Sequence, residues 1–447
     1  LKLSILGIPI PHWIDYRRHL RSIAKAALEA VDPYDAVTHH LKLNGDELVI
    51  GEYEYYLEEG TRIFVVGAGK AGITMARAVE DILGERIWAG VVSVPDLPSV
   101  SLQTIKLISG GHPLPTEGSI EAGKQIRDLL ADVCEKDLVL VLISGGGSAL
   151  LELPKDGLQL SDLQKVNDLL LKSGAPIQDV NIVRRQLSMI KGGGLARLAA
   201  PANIFTLILS DVIGDQLESI ASGPTIPSPS NVMDVYDMLE RYKLHSRIPG
   251  NVIRILEDTK GIEISKSSDG VAEIENIIIG SNTIAAQAAV DKARELGFQA
   301  LLITTLLQGE AREVGKLIAA LIKAVKILPS NPICMVLGGE TTVTVKGNGV
   351  GGRNQELALS TAMELEGVSE VAMMTLATDG IDGPTPSAGA IVDGQTISKA
   401  LSLDLDAYSF LENNDSHTFF HALGDTVSLG PTGTNVNDLT ICLVYKP

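Results

Sequence analysis

Arg62-Ile63-Phe64-Val65-Val66-Gly67-Ala68-Gly69-Lys70-Ala71-Gly72 is the stretch whose reading decides the fold. Ile63–Val66 reads as a buried strand. Three glycines follow at G-x-G-x-x-G spacing, and Ile73, Ala76 and Val79 then recur at helical spacing. A strand that feeds a helix through glycines points backbone N–H groups and the positive end of the helix dipole at one spot, which suits phosphate. Lys70 is the unusual member. A dinucleotide fingerprint does not need it, and a Walker A loop sets its Lys before Ser or Thr. Three readings stay open at this point: a nicotinamide oxidoreductase, a phosphoryl-transfer enzyme, and a βα turn with no ligand.

Outward from this turn, strand-like and helical stretches alternate. Ala89–Val94, Thr104–Ser109, the fully apolar Leu138–Ile143 and Ile204–Leu209 read as strands, with helices over 14–31, around Glu121–Leu130, near 161–172 and over 184–199. Continuous apolar strands with functional-looking loops after them predict an open, doubly wound, Rossmann-like parallel sheet with helices on both faces. Pro224, Pro227 and Pro229, with Ser222, Ser228 and Ser230, form the clearest composition shift. A domain boundary is expected just after it, giving domains 1–235 and 236–447. In the second, Ile277–Ile279, Leu301–Thr305, Cys334–Leu337, Ala372–Leu376, Ala388–Val392 and Leu439–Val444 read as strands, and Thr341–Lys346 as an antiparallel or edge strand. The expected class there is a mixed-sheet α/β domain.

The 447 residues carry a formal net charge of −18, which argues against nonspecific nucleic-acid binding. An anionic substrate must then be captured by a local cationic pocket or arrive as a metal complex. No apolar run approaches the roughly 18 residues of a membrane span. Leu3–Pro11 lacks the apolar core and cleavage site of a signal peptide, so a cytoplasmic protein is expected. Cys134, Cys334 and Cys442 are scattered singly in apolar segments and read as buried structural thiols.

Ser144-Gly145-Gly146-Gly147-Ser148, directly after a buried strand, is a second candidate anion cradle, competing with a plain tight turn. Its sequence fails the G-x-S-x-G pattern of a hydrolase elbow. Arg184, Ser188 and Lys191 would share one helical face leading into Gly192-Gly193-Gly194, unless they form a solvated basic face. Asp211 and Asp215 follow a strand and suit a divalent cation or general-base work, or cap a helix. Leu337-Gly338-Gly339-Glu340-Thr341 and Gly347-Asn348-Gly349-Val350-Gly351-Gly352-Arg353-Asn354-Gln355-Glu356 form the densest signal of the second domain. A glycine loop delivering Arg353 at a helix start resembles an arginine aimed at a transferring phosphate. Thr378-Asp379-Gly380-Ile381-Asp382-Gly383 and Gly430–Asp438 add strand-end carboxylates, hydroxyls and amides, or are turn chemistry alone. His112 is the one histidine expected near a site.

Taken together and in order, these motifs resemble the glycerate 2-kinases whose C-terminal half is the MOFRL domain. The resemblance runs from Gly67-Ala68-Gly69-Lys70-Ala71 to Thr434-Asn435-Val436-Asn437-Asp438 and takes in Lys191-Gly192-Gly193 and Ser222-Gly223-Pro224-Thr225. It implies phosphorylation of D-glycerate to 2-phosphoglycerate with ATP and Mg²⁺ or another divalent cation, in a cleft between two α/β domains. The family's essential lysine and arginine fall on Lys70 and Arg353. Asp211 is the first choice for accepting the C2 hydroxyl proton or orienting metal, with Asp379 and Glu340 as competitors and Asp379 as the second metal ligand. Gly67, Gly69, Ser144, Gly145, Gly146, Gly147, Ser148, Lys191 and Asn354 complete the expected substrate and nucleotide contacts. Small-molecule partners are implied, with no membrane or nucleic acid, and a homodimer is an admissible assembly. The rival readings are an NAD(P)H-dependent hydroxypyruvate reductase and a non-catalytic phosphosugar-binding protein. Against the first, Asp96 lies 29 residues after Gly67, farther than the usual ribose-binding acid at roughly 20.

Overall fold

The structure, a computed structural model, describes residues 11–99, 101–228, 231–258, 273–328 and 331–445. The expectations on Leu3–Ile10 and on Pro229 and Ser230 lie outside the described residues. Two compact units emerge, residues 33–279 and residues 1–32 with 280–447, each an α/β fold.

In the unit 33–279, a small antiparallel meander comes first: β1 (Leu41–Asn44), β2 (Glu47–Ile50) and β3 (Tyr53–Tyr56). The main sheet contains β4 (Ile63–Ala68), β5 (Ile87–Val94), β6 (Ile105–Ser109), β7 (Leu138–Ile143), β8 (Asn203–Leu209) and β9 (Ile274–Gly280). Their order is β6-β5-β4-β7-β8-β9, and the pairs from β6 to β8 are all parallel. β7 is buried along its whole length, as expected of a strand covered on both faces. Phe64, Val66 and Ala68 pack with Ala122 and Ile126 of the helix Glu117–Leu129 and with Leu195. The helix Gly72–Leu83 instead starts against Val92 and Val94 and buries Met75, Ala76 and Val79. The main sheet starts at β4, winds outward to β6, then returns to β7 on the other side. The β4/β7 junction is therefore the topological switch point, where doubly wound sheets bind ligands.

The expected boundary at 235/236 is corrected. Helices Val232–Arg241 and Gly250–Asp258 pack in one cluster with Leu163, Val166, Leu170, Val180 and Val183, and β9 joins the sheet edge. The proline-rich stretch is a loop within the unit, tied back by Thr225 Oγ1 donating to Asn276 Oδ1 at 2.7 Å.

The other unit is built on a mixed sheet of β10 (Gln299–Leu307), β11 (Ile333–Gly339), β12 (Val371–Ala377), β13 (Gly389–Asp393), β14 (Thr426–Val427) and β15 (Asp438–Val444), ordered β10-β11-β15-β12-β13-β14. Only β10 and β11 pair in parallel. The helix Tyr16–Glu29 belongs here. It buries Leu20, Ile23 and Ala27, Arg17 pairs with Asp425 at 2.5 Å, and His19 Nδ1 bonds the Tyr445 hydroxyl at 2.7 Å.

Three further expectations change. Thr341–Lys346 is not a strand. It has one bridge, from Thr342 to Glu310, and its amides are taken by side chains: Thr344 N–H by Glu310 and Lys346 N–H by Asn414. The helix 184–199 divides into Ile177–Leu187 and Gly194–Ala199, because Gly192 and Gly193 adopt φ of 57° and 77°. Cys334 and Cys442 are buried, but Cys134 is exposed.

Candidate active site

At the switch point the loops after β4 and β7 interlock. Ala68 is in register with Ile143, so Gly67 lies over the β7 backbone, where a Cβ would sit 2.1 Å from Leu142 O. Gly69, at φ 152°, passes so near Ser144 that a Cβ would meet its Oγ at 1.9 Å. Lys70 N–H donates to Gly145 O at 2.9 Å, Ala71 N–H to Ser144 Oγ at 3.0 Å, and Gly69 N–H to Ser93 O at 3.1 Å.

These bonds alter the reading of the opening loop. Its amides from Gly69 to Gly72 are consumed within the fold, so Gly67 and Gly69 serve close approach rather than an open anion nest. In the second loop, the N–H groups of Gly145, Gly146 and Ser148 donate to no partner among the described residues. Gly146, at φ 82°, starts the short helix Gly147–Leu150. The sequence reads both loops as ligand contacts, and of the two the loop after β7 presents amides without partners among the described residues.

Three side chains surround that loop. Lys70 is exposed, forms no ion pair among the described residues, and brings its Cγ within 3.4 Å of where a Gly146 Cβ would lie. His112, singled out from the sequence, touches the same point at 3.0 Å. Partial burial and then the Lys70 charge hold its imidazole below the ordinary value, so it is neutral at pH 7. Asp211, at the end of β8, sets its Oδ2 2.3 Å from the Cβ position of Gly145. Asp211 and Asp215 lie in a loop, so neither caps a helix.

Beside the loop is a pocket of about 170 Å³, lined by His112, Gly146, Ser148, Glu152, Arg184 and Lys191 among others. Ser188 and Lys191 do meet, though not along one helix, since the helix ends at Leu187, and Arg184 lines the same pocket as Lys191. Glu152, which sequence reading passed over, joins Ser188 and Lys191. Its carboxylate accepts a hydrogen bond from Ser188 Oγ at 2.6 Å and pairs with Lys191 Nζ. Lys191 is almost fully buried and its amine is held below the ordinary value by burial, so it is not a solvated basic residue. The available signal was a lone carboxylate in Leu150-Leu151-Glu152-Leu153. Ser148 Oγ bonds Ser222 Oγ at 2.5 Å, which in turn donates to Asn181.

In the other unit, Gly352 caps the helix Arg353–Glu364. Asp382 accepts from Asn354 N–H at 3.0 Å and Gln355 N–H at 2.9 Å, and a Cβ on Gly352 would lie 2.3 Å from its Cγ. Burial pushes the Asp382 carboxyl up, opposed by those amides. Asn354 is buried, with its side-chain amide on Asp382 at 3.4 Å, and is held by the fold. Arg353 is gripped from two sides: Asp438 takes Nε–H at 2.5 Å and Nη2–H at 2.9 Å, and Glu340 pairs with Nη1 at 2.8 Å. Burial acts to lower the guanidinium, but Asp438 and Glu340 outweigh it and hold it raised. Burial pushes the Asp438 carboxyl up to about 6 despite Arg353. Two of the five guanidinium N–H groups are hydrogen-bonded, both to Asp438, and Nη1 is held in an ion pair with Glu340, which leaves the remaining N–H groups for a ligand. Glu340 is steadied by Asn437 Nδ2 at 3.1 Å. Asp379 accepts from Ile381 N–H at 3.0 Å as part of a turn.

No group of three or more His, Cys, Asp and Glu side chains among the described residues is disposed to hold a metal ion. Mg²⁺ carried by phosphate oxygens needs only one or two protein carboxylates, and Asp211, half-buried beside Gly145, can supply one.

Residues 19–257 match the model of a domain of unknown function, DUF4147, and residues 333–438 match the MOFRL family. The chain is 41% identical to the D-glycerate 2-kinase of Thermotoga maritima, over 94% of this chain and 97% of that one. It is 40% identical to the glycerate 2-kinase of Pyrococcus horikoshii, over 94% and 95%. The crystal structure of a Thermotoga maritima glycerate kinase superposes with a TM-score of 0.86 at 39% identity, covering 96% of this chain and 99% of that one. A putative hydroxypyruvate reductase of Agrobacterium vitis is 38% identical over 97% and 96%. With such identity along almost its entire length, the chain belongs to the glycerate 2-kinase family.

Proposed function

We propose that this protein transfers the γ-phosphoryl group of ATP to the C2 hydroxyl of D-glycerate, giving 2-phosphoglycerate and ADP. The observation that carries the reading is the switch-point loop Ser144–Ser148, whose amides at Gly145, Gly146 and Ser148 have no partner among the described residues, flanked by a lysine without an ion pair among them and by a carboxylate. That combination suits phosphoryl transfer, which needs positioning and charge neutralisation more than covalent help. The amides of Gly145, Gly146 and Ser148 hold anionic oxygens. Lys70, a flexible point charge, offsets the negative charge of the transferring group. Asp211 takes the proton of the acceptor hydroxyl or holds the divalent cation that accompanies ATP. Arg353 contributes a rigid, carboxylate-anchored fork, and Glu340 and Asp438 keep it aligned. Such a cation supplies charge neutralisation at the phosphates. An ATP-consuming enzyme of this type belongs in the cytoplasm, and a homodimer is an admissible assembly.

The competing reductase reading has one relative's name behind it, but it leaves Lys70 and the chelated Arg353 without work. Incubation with D-glycerate and ATP, and separately with hydroxypyruvate and NADH, decides between them. ADP and a phosphorylated acid, with the ³¹P resonance of a C2 ester, are expected. NADH oxidation without ADP formation overturns the assignment.

A further inference from the structure

The pocket beside the β7 loop contains a cation with no ion pair among the described residues. Arg184 projects from the helix Ile177–Leu187, and its one side-chain hydrogen bond among the described residues is Nε–H to Asn167 Oδ1 at 2.8 Å. It forms no ion pair among them, and its terminal nitrogens are not among the sealed, unpartnered atoms, so they open to the pocket. Burial holds the guanidinium below its ordinary value, opposed only by the more distant Glu152. An arginine that the fold positions through Nε and leaves with a free fork is built for a planar bidentate anion.

The rest of the pocket defines which anion. Glu152 and Lys191 cancel each other and are almost fully buried, and His112 is neutral, so the pocket carries one net positive charge. Its volume, about 170 Å³, is well below the roughly 300–1,000 Å³ of sites for drug-sized ligands. It therefore suits a small monoacid and excludes a nucleotide. Ser148 and Gly146 line the same pocket, so a carboxylate on Arg184 would place the remainder of a short acid toward the free amides.

We infer that Arg184, positioned by Asn167, is the residue that selects the acceptor's carboxylate, and that Glu152–Lys191 is a neutral wall rather than a substrate contact. This rests on the glycerate reading above and adds the basis of its acid specificity. The test compares D-glycerate with its uncharged amide, by calorimetric binding and by turnover, in wild type, Arg184→Lys and Arg184→Ala. Wild type should prefer the acid. Arg184→Ala should weaken glycerate binding and kcat/KM about 10²-fold, abolish preference over the amide, and leave the KM for ATP within about twofold. Arg184→Lys, which keeps the charge and loses the fork, should lose about tenfold, and it serves if the alanine variant does not fold. A raised KM for ATP with unchanged glycerate binding overturns the inference, as does an unchanged acid-to-amide ratio in both variants. Wild type that binds glycerate through Arg184 without ADP formation supports this inference and refutes the kinase reading. Wild type that binds no glycerate refutes the inference.

Discussion

The buried Glu152–Lys191 pair gives a prediction with opposed pH slopes. Both side chains are almost fully buried, at 7% and 1% exposure. The carboxylate also accepts from Ser188 Oγ at 2.6 Å and Leu153 N–H at 3.0 Å, whereas among the described residues the ammonium has only Leu151 O at 3.4 Å besides its partner. Removing one member of such a pair costs about 3–5 kcal/mol, because the survivor is left charged in the interior. For a unit of this size that is a fall in Tm of about 6–20 °C. In Lys191→Met the stranded carboxylate is relieved by taking up a proton, so the folded state binds more protons than the unfolded and stability rises as pH falls. In Glu152→Gln the stranded lysine is relieved by losing one, so the folded state binds fewer and stability rises with pH. The double variant, with no charge to strand, should lie within about 2 kcal/mol of wild type, its ionic contribution being small. Chemical denaturation of the four proteins between pH 5.5 and 9 reads both slopes. Parallel slopes in the two single variants, or losses under about 1 kcal/mol in both, would refute the buried-pair reasoning.

Three other outcomes follow from the same geometry. Lys70→Ala and Arg353→Ala should each lower kcat by about 10³-fold or more, Lys70→Ala with a small change in Tm, measured by coupled ADP release; near-normal turnover in both sinks the phosphoryl-transfer assignment. Asp438, pushed up to about 6 when folded, keeps its proton to higher pH than the unfolded chain does. Its contribution to stability therefore falls as pH rises from about 4 to 6. The difference between wild type and Asp438→Asn in denaturant titrations should carry that slope, and a flat difference contradicts it. Gly145→Ala places a methyl 2.3 Å from Asp211 Oδ2, a movable side-chain end, whereas Gly67→Ala places one 2.1 Å from the Leu142 backbone oxygen. The first should cost activity about tenfold or more with Tm nearly kept, and the second should cost about 1–3 kcal/mol of stability or more. Thermal melts beside initial rates separate them, and equal losses of stability would count against the placement of Asp211.

How much of this was legible beforehand depended on the range of the interaction. β4 and β7 were readable because parallel strands buried on both faces are continuous apolar runs, and the glycines between strand and helix marked the switch point. The meander Leu41–Tyr56 was passed over although Asn44-Gly45 sits between alternating segments, a hairpin signal of short range. Long-range choices left no such trace. Nothing local to Tyr16–Glu29 says that its apolar stripe packs in the unit of residues 280–447 across some 250 residues of sequence. Asp382 and Asp438 were visible as acids in turns, but their tasks, capping the Arg353 helix and clamping its guanidinium, are set by partners 28 and 85 positions away. The opening loop shows the limit most plainly. Its fingerprint spacing is real, yet its amides are spent on Ser93, Ser144 and Gly145, and spacing cannot reveal which N–H groups remain free.

The two conspicuous cations are prepared in opposite ways, and the chain's charge explains why both kinds are useful. With −18 overall, the far field repels polyphosphate, so attraction must be local and short-ranged, within about 8–10 Å at physiological salt. Lys70 is exposed and pairs with no carboxylate among the described residues, so it is available for that local attraction and can follow a phosphate as it moves. Arg353 is held by Asp438 and Glu340, which outnumber it in charge, so it cannot act as an attractor. What the clamp supplies is direction: the remaining N–H groups are fixed in space before any ligand arrives, which favours charge that develops in the transition state over charge already present in the substrate. Loss of Lys70 should accordingly raise the KM for ATP as well as lower kcat, in a salt-dependent way. Loss of Arg353 should fall on kcat.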